Sequence, residues 1–334
     1  MNKNTGFIVI IGYPEVVVQI ANGELISKIW PLFGVGGQKK VMAGHAAMLL
    51  ISKQTNKIHY FDFGRYITSN TFGRVRSEET DNEVHIPFQA QIKGDKILNL
   101  EEVLLFLDAN PGKTHGEGRM VVGVNSEVNY EAALSFVLNL QQKGEVPYGA
   151  FIRNGSNCAR FVTDALIAAT TNTKIARKLK LSYAVTPSPI SNVLRGSSKE
   201  QPKLQIENQV VQTYLNNSVY KEHKKCLFSK VSQEVDHIGS LIPNMEKYSS
   251  PNGQWLGGIG SGAWFELKEK SKEAGLYHIQ RKNHFGEIDL AADFIPVEEG
   301  FSVQKEFVFQ YGSNCKTCFL KQDDKTYTFR RQVG

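Results

Sequence analysis

The sequence predicts an α+β domain over residues 1–190, a linker or excursion over 191–250, and a small antiparallel all-β domain over 251–334. Three observations predict it. Apolar, β-rich runs at 44–51 and 58–63 flank the polar turn 53–57, the pattern of an antiparallel hairpin. Helical periodicity with capping residues follows, at 100–108, 130–143 and from Cys158 onward. Beyond Trp255 short strand-like runs recur between turn residues, as in a small sandwich or barrel. A length of 334 residues suits two domains at roughly 150 residues each.

Taken in order, residues 6–12 and 16–20 read as two strands around a Tyr-Pro turn, followed by a short amphipathic piece at 24–33 and a glycine joint at 34–37. Residues 84–98 read as a further β-rich stretch. Asn99 with Glu102 resembles a capping box for the helix at 100–108. Asn129 caps the next helix, whose Ala133, Phe136, Val137 and Leu140 form one face and whose end Gly144 marks. Three prolines and clustered serines over 186–205 place a linker there, and residues 208–215 read as a helix. The last runs are 263–267, 276–281, 288–295, 302–310, 318–322 and 326–331.

Composition narrows the classes. A chain that is 41% hydrophobic and 22% charged packs a globular core, and a formal charge of +6 is mild. The densest basic run, 174–180, is interleaved with aliphatics and reads as a solvated helix face, so no nucleic-acid partner is expected. The apolar run at 7–20 is interrupted by Gly12, Pro14 and Glu15, short of the roughly 20 residues a membrane helix needs. No integral membrane segment and no signal peptide are expected. The four cysteines, Cys158, Cys226, Cys315 and Cys318, are too unevenly spaced for a disulfide framework, which points to reducing surroundings and a cytoplasmic location.

The chemistry centres on Gly155-Ser-Asn-Cys158-Ala-Arg-Phe-Val162. Phe161, Val162, Ala165, Leu166 and Ala169 recur at helical spacing and Ser156 and Asn157 are N-cap types, so Cys158 stands in the first turn of a helix. The partial positive charge at a helix N-terminus favours the thiolate, the attacking species of cysteine catalysis. A small buried residue at a helix start is the plainer alternative. A nucleophile needs a base and the base an orienter. His45 opens a buried strand directly after Gly44, where an aliphatic would be natural. If the hairpin turn centres on Thr55, Asp62 falls within diagonal reach of His45, and an acid among Tyr60, Phe61 and Phe63 needs a partner. His59 is the other candidate for the third position, because a slip of one residue exchanges the faces.

Gly44-His45 on a strand, a polar residue on the next strand, and Asn157-Cys158-x-x-Phe161-Val162 at a helix start resemble the circularly permuted branch of the NlpC-type papain-like superfamily. Lecithin retinol acyltransferase and bacterial relatives belong to it. The resemblance covers roughly residues 40–170 and implies a permuted papain-like fold with Cys158 as nucleophile, His45 as base and Asp62 as third member. Ala159 and Arg160 stand where the acyltransferase has an acid and a histidine. The whole chain looks like a bacterial family carrying this domain.

These features predict a thiol hydrolase, an amidase or peptidase acting on a small molecule or peptide, with Tyr148 and Asn157 lining its cleft. Lipid acyl transfer or thioester hydrolysis by the same residues is the alternative, distinguished by an apolar in place of a polar cleft. A non-catalytic binding module on the same scaffold is the third reading.

Other motifs fail on context. Gly112-Lys113-Thr114 ends like a phosphate-binding loop, but Leu107 replaces its first glycine. Gly258-x-Gly260-x-x-Ala263 precedes a strand-like run instead of a helix. Cys315-Lys-Thr-Cys318 has no second ligand pair at zinc spacing and reads as a hairpin-edge pair of thiols. His115 and Glu117 read as a polar surface loop. No cofactor and no metal are expected.

Overall fold

The computed structural model describes residues 3–19, 40–227, 240–243, 245, 252–271 and 275–332. The piece expected at 24–33 and the glycine joint at 34–37 lie outside the described residues. The first unit has strands β1 (Gly6–Tyr13), β2 (Val17–Gln19), β3 (Lys40–Met42), β4 (His45–Ser52), β5 (Ile58–Gly64), β6 (Phe72–Arg76), β7 (Ile92–Lys93), β8 (Lys96–Ile97), β9 (Met120–Val128), β10 (Val146–Pro147), β11 (Leu204–Glu207) and β12 (Val210–Thr213). Its helices are α1 (Leu100–Ala109), α2 (Pro111–Thr114), α3 (Tyr130–Gln142), α4 (Cys158–Ala169), α5 (Thr173–Lys180), α6 (Pro189–Gly196) and α7 (Val219–Leu227).

An eight-stranded antiparallel sheet runs in the order β10-β6-β5-β4-β1-β9-β11-β12. β1 and β4 are buried along their whole length because helices cover one face and α1 with its flanking loop covers the other. Ile8, Ile10, Met48, Leu50 and Phe61 pack against Phe161, Val162 and Leu166 of α4 and Val137 of α3. Val9, Ile11, Leu49 and Tyr60 pack against Val103, Leu104 and Leu107 of α1. Burial on both faces explains why these strands read as continuous apolar runs rather than alternating ones. Each fully buried aliphatic or phenyl group contributes about 1.5–3 kcal/mol by leaving water.

The hairpin of β4 and β5 forms as expected, and the helices at 100–109, 130–142 and 158–169 are all present. The capping box is not. Asn99 makes no side-chain cap bond; its Oδ1 accepts instead from the Gln91 N–H and its Nδ2 donates to the Gln89 carbonyl. Residues 84–98 carry little strand, only the short β7–β8 hairpin at their end.

The linker expected at 191–250 begins too early. Residues 189–196 form α6, which a Ser188–Ser191 capping box starts and whose Ile190 and Val193 join the core; Pro189 is its first residue, where a missing N–H costs nothing. The helix read at 208–215 is also corrected. Asn208 and Gln209 take positive φ, 51° and 62°, and turn the chain between β11 and β12, which extend the main sheet beyond β9. β9 and β6 carry no strong alternation and escaped the sequence reading.

The second unit has strands β13 (Gln254–Gly257), β14 (Gly262–Ser271), β15 (Leu276–Asn283), β16 (Ile288–Pro296), β17 (Val308–Phe309), β18 (Thr317–Gln322) and β19 (Lys325–Arg331). They form an antiparallel sheet in the order β13-β14-β15-β16-β19-β18-β17 around Phe265, Ile279, Phe294, Leu320 and Phe329. Gln254 nearly closes it into a barrel: its Nε2 donates to the Phe307 carbonyl at 2.8 Å and its Oε1 accepts from the Phe309 N–H at 2.8 Å. The strand expected at 302–310 is mostly loop, because Gln322 satisfies the Ser302 N–H and carbonyl with its side chain. Among the described residues no helix is long and apolar enough to cross a membrane.

Candidate active site

Gly44 sets His45 in place. Its φ of +77° is the left-handed region that glycine tolerates, and a Cβ there would stand 2.6 Å from the Tyr13 carbonyl oxygen. His45 then opens β4 opposite Tyr13 of β1, with the two rings 6.4 Å apart and nearly parallel. The β4–β5 register pairs Ala47 with Asp62, so Asp62 is the diagonal neighbour of His45 on the same face. His45 Nε2 lies 3.3 Å from Asp62 Oδ2.

Asp62 has no exposed surface and is held by more than the histidine. Arg76, its partner across β5 and β6, donates Nη2 to Oδ2 at 2.6 Å and Nε to Oδ1 at 3.0 Å. The hydroxyls of Tyr60 and Tyr66 donate to Oδ2 at 3.0 and 3.1 Å. Arg76 in turn donates to Glu83 at 2.7 Å and lies over the Tyr66 ring at 3.8 Å. Burial works against ionisation of Asp62, but the Arg76 charge overrides it, and hydrogen bonds from His45 and Arg76 add to the effect, holding the carboxyl well below its usual range. Burial, with the Asp62 charge behind it, pushes the Tyr60 and Tyr66 hydroxyls well above 10, so both remain donors.

Cys158 is the first residue of α4. Its N-cap Asn157 accepts from the Arg160 N–H at 2.8 Å, which fixes the helix start. The Cys158 thiol stands close enough to the His45 ring to act on its charge. Burial opposes protonation of His45, yet the influence of Asp62 and Cys158 outweighs it and pushes its pKa up to about 9. The ring is therefore an imidazolium at neutral pH.

Cys158 and Asn157 line a cleft of about 940 Å³, together with Tyr148 and the loop 149–151. Its far walls are largely apolar, with Val18, Val41, Met42, Val185, Pro187 and Ile190 among them. Arg160 pins the 149–152 loop by donating Nη1 to the carbonyls of Gly149 and Ile152 at 3.1 and 3.0 Å. Tyr148 stacks on Phe63 with ring centroids 6.1 Å apart.

Residues 8–175 match the family described as type VI secretion system effector TseH-like, half of the chain. The chain belongs to this TseH-like effector family. Residues 253–332 match a second family, the DUF6695 C-terminal domain, which coincides with the barrel. A crystal structure of the type VI secretion system effector TseH is similar to the chain at 19% identity, over 64% of this chain and 99% of that one, with a TM-score of 0.39. No curated protein matches. In this TseH-like chain His45, Asp62, Arg76 and Cys158 all lie inside the matched span.

His59, the other candidate for the third position, stands apart. It pairs with Leu50 on the opposite face of the sheet, 3.4 Å from Glu78, and burial with the Lys57 charge lowers its pKa. His115 leaves the surface-loop reading: its ring centroid lies 5.0 Å from that of Tyr66 and its Nε2 3.9 Å from Glu83, whereas Glu117 is exposed. Cys315 and Cys318 are free and fully buried in the barrel, not at an exposed edge. Burial raises both thiols, Cys315 to about 12. Among the described residues no group of three or more His, Cys, Asp or Glu side chains is arranged to hold a metal ion.

Arg76 and Tyr66 were missed in the sequence. Tyr60 carried a signal, since it stands two residues before Asp62 on the same strand face. Arg76 belongs to the unread β6, where Arg74 and Arg76 alternate with Val75 and point to one side.

Proposed function

We propose that the chain is an effector enzyme, a thiol hydrolase on a circularly permuted papain-like scaffold of the NlpC type. The observation that carries this reading is His45, bonded to a fully buried carboxylate and raised in basicity by a neighbouring cysteine at a helix N-terminus that lines a cleft. The sulfur attacks the substrate carbonyl as the thiolate partner of the imidazolium, forming an S–C bond. The Cys158 N–H at the start of α4 helps to hold the resulting oxyanion. His45 returns its proton to the departing amine or alcohol as the C–N or C–O bond breaks, leaving a thioester. Water then attacks that thioester, gives its proton to His45, and releases the acid and the thiol. Asp62 keeps the ring oriented, and because Nε2 is committed to Asp62, Nδ1 is the nitrogen that serves Cys158.

The cleft favours a second reading within this class. Walls whose exposed surface is largely apolar suit an acyl ester or thioester better than an extended peptide. As a family of secreted effectors implies, the cytoplasm expected from cysteine usage is then the site of synthesis rather than of action. Incubation with an electrophilic acyl probe, followed by mapping of the labelled peptide, tests the reading: label on Cys158 that disappears in His45→Ala supports it. Label distributed over other cysteines and indifferent to His45 contradicts it. A panel of p-nitrophenyl esters against peptide amides separates the two substrate classes.

A further inference from the structure

Tyr66 and Arg76 both lie between residues 65 and 83, and the C-terminal barrel grips this segment from outside. The Gly260 N–H donates to the Arg65 carbonyl at 3.1 Å, and Tyr66 makes a parallel bridge to Ser261. Ile67 sits at φ 50°, an uncommon conformation for a β-branched residue, and its side chain is enclosed by the barrel core with Phe265 and Leu256. Further along, the Cys315 N–H donates to the Thr80 carbonyl at 2.9 Å and Asn82 Nδ2 to the Asp289 carbonyl at 2.7 Å.

A buried ionic chain runs through the same seam. Arg281 of β15 donates to Asp289 at 2.6 Å and reaches across to Asp81 Oδ1 at 3.2 Å. Asp81 is held by both Nη atoms of Arg74, at 2.6 and 2.7 Å, and Arg74 Nε donates to the Tyr66 carbonyl at 2.8 Å. The Tyr66 hydroxyl closes the path on Asp62. Arg74, Asp81 and Arg281 are all buried, so each carboxylate depends on its arginine partners.

We propose that the barrel is a positioning unit for the cysteine site: it fixes the 65–83 segment, and Arg281 acts through Asp81, Arg74 and Tyr66 to hold Asp62 against His45. This rests on the Cys158–His45–Asp62 reading. Among the described residues the Ile67 side chain belongs to the barrel core, and Arg281 makes the charged contact with Asp81. Loosening the seam lets Tyr66 withdraw from Asp62, and the bond that keeps the imidazolium charged weakens.

The test uses the full chain and two readouts, an NMR titration of the His45 ring, assigned with His45→Gln, and the rate at which iodoacetamide alkylates Cys158. Gly258→Ala wedges the seam without touching a charge, because a Cβ there would stand 2.5 Å from the Ile67 nitrogen and 2.6 Å from the Arg65 oxygen. Arg281→Gln removes the charge and Arg281→Lys restores it. Gly258→Ala and Arg281→Gln are expected to move the His45 midpoint from about 9 toward 6.5 and to slow alkylation at pH 7 by about tenfold or more, with Arg281→Lys in between. If Arg281→Gln does not fold, Gly258→Ala decides alone. A His45 titration and an alkylation rate equal to those of the unmodified chain in folded Gly258→Ala overturn the proposal. An unmodified chain whose Cys158 alkylates as fast as in His45→Ala would instead contradict the underlying site.

Discussion

Arg76 Nη2 stands 2.6 Å from Asp62 Oδ2, closer than His45 Nε2 at 3.3 Å to the same oxygen. The carboxylate is thus anchored more closely by an arginine than by the histidine it faces. A fully buried Asp62 facing His45 alone would carry a desolvation penalty that one 3.3 Å contact does not offset. With Arg76 and two tyrosine hydroxyls present, it stays ionised.

Removal of Arg76 therefore costs stability as well as function. Arg76→Met removes the arginine charge that Asp62 and Glu83 share and is expected to destabilise the chain by about 3–5 kcal/mol, read from urea unfolding. Asp62→Asn with Arg76 intact is expected to lose less stability but most turnover, because an amide does not stabilise the imidazolium. Equal stability losses in the two variants would contradict this division of labour.

Stability against pH has a predictable shape. His45 has a folded value of about 9 against an ordinary 6.5, so its contribution is fully present below 6.5 and is lost as pH rises through 9. That loss is worth roughly 3 kcal/mol at the alkaline end. Asp62 has the opposite sign: its contribution is present above the ordinary carboxylate range and fades as pH falls below it. Denaturation midpoints measured from pH 6 to 10 should decline, and His45→Gln should flatten that decline. An unchanged slope in the variant would show that other groups produce it.

Gly44 makes a backbone prediction. Gly44→Ala places a Cβ 2.6 Å from the Tyr13 oxygen at φ +77°, which is expected to cost about 1–3 kcal/mol and to displace His45. Alkylation of Cys158 should slow in this variant even where the protein remains folded. An unaffected alkylation rate would mean that Gly44 does not set the position of His45.

The apolar cleft predicts chain-length selectivity. Val185 is 77% exposed at its wall, so Val185→Glu should leave the melting temperature unchanged. It should lower turnover of long-chain esters more than of acetate esters. Equal losses for both would remove the cleft from substrate recognition.

Much of the site was legible because it rests on local rules. The cap at Asn157 and the diagonal of a short-turn hairpin placed Cys158 at a helix start and Asp62 beside His45, whereas the packing of α4 on the sheet and the positive φ at Gly44 came only with the structure. What the sequence concealed depends on distant partners. Arg76 acquires its meaning only when β6 lies beside β5, and Tyr66 only when the barrel supports its loop. The helix at 189–196 was hidden by prolines and serines that usually break structure but here supply an N1 residue and a capping box. At 208–215, two positive-φ residues turned a sequence without clear period into a hairpin.

The most direct test of the cysteine site is the iodoacetamide reaction at pH 7, resolved by peptide mass spectrometry for each cysteine. Cys158 is expected to react faster than Cys315 and Cys318, which lie inside the barrel, and to slow by about tenfold or more in His45→Ala while the rates of Cys315 and Cys318 do not change. A Cys158 rate that is the same in the unmodified chain and in His45→Ala would contradict the account.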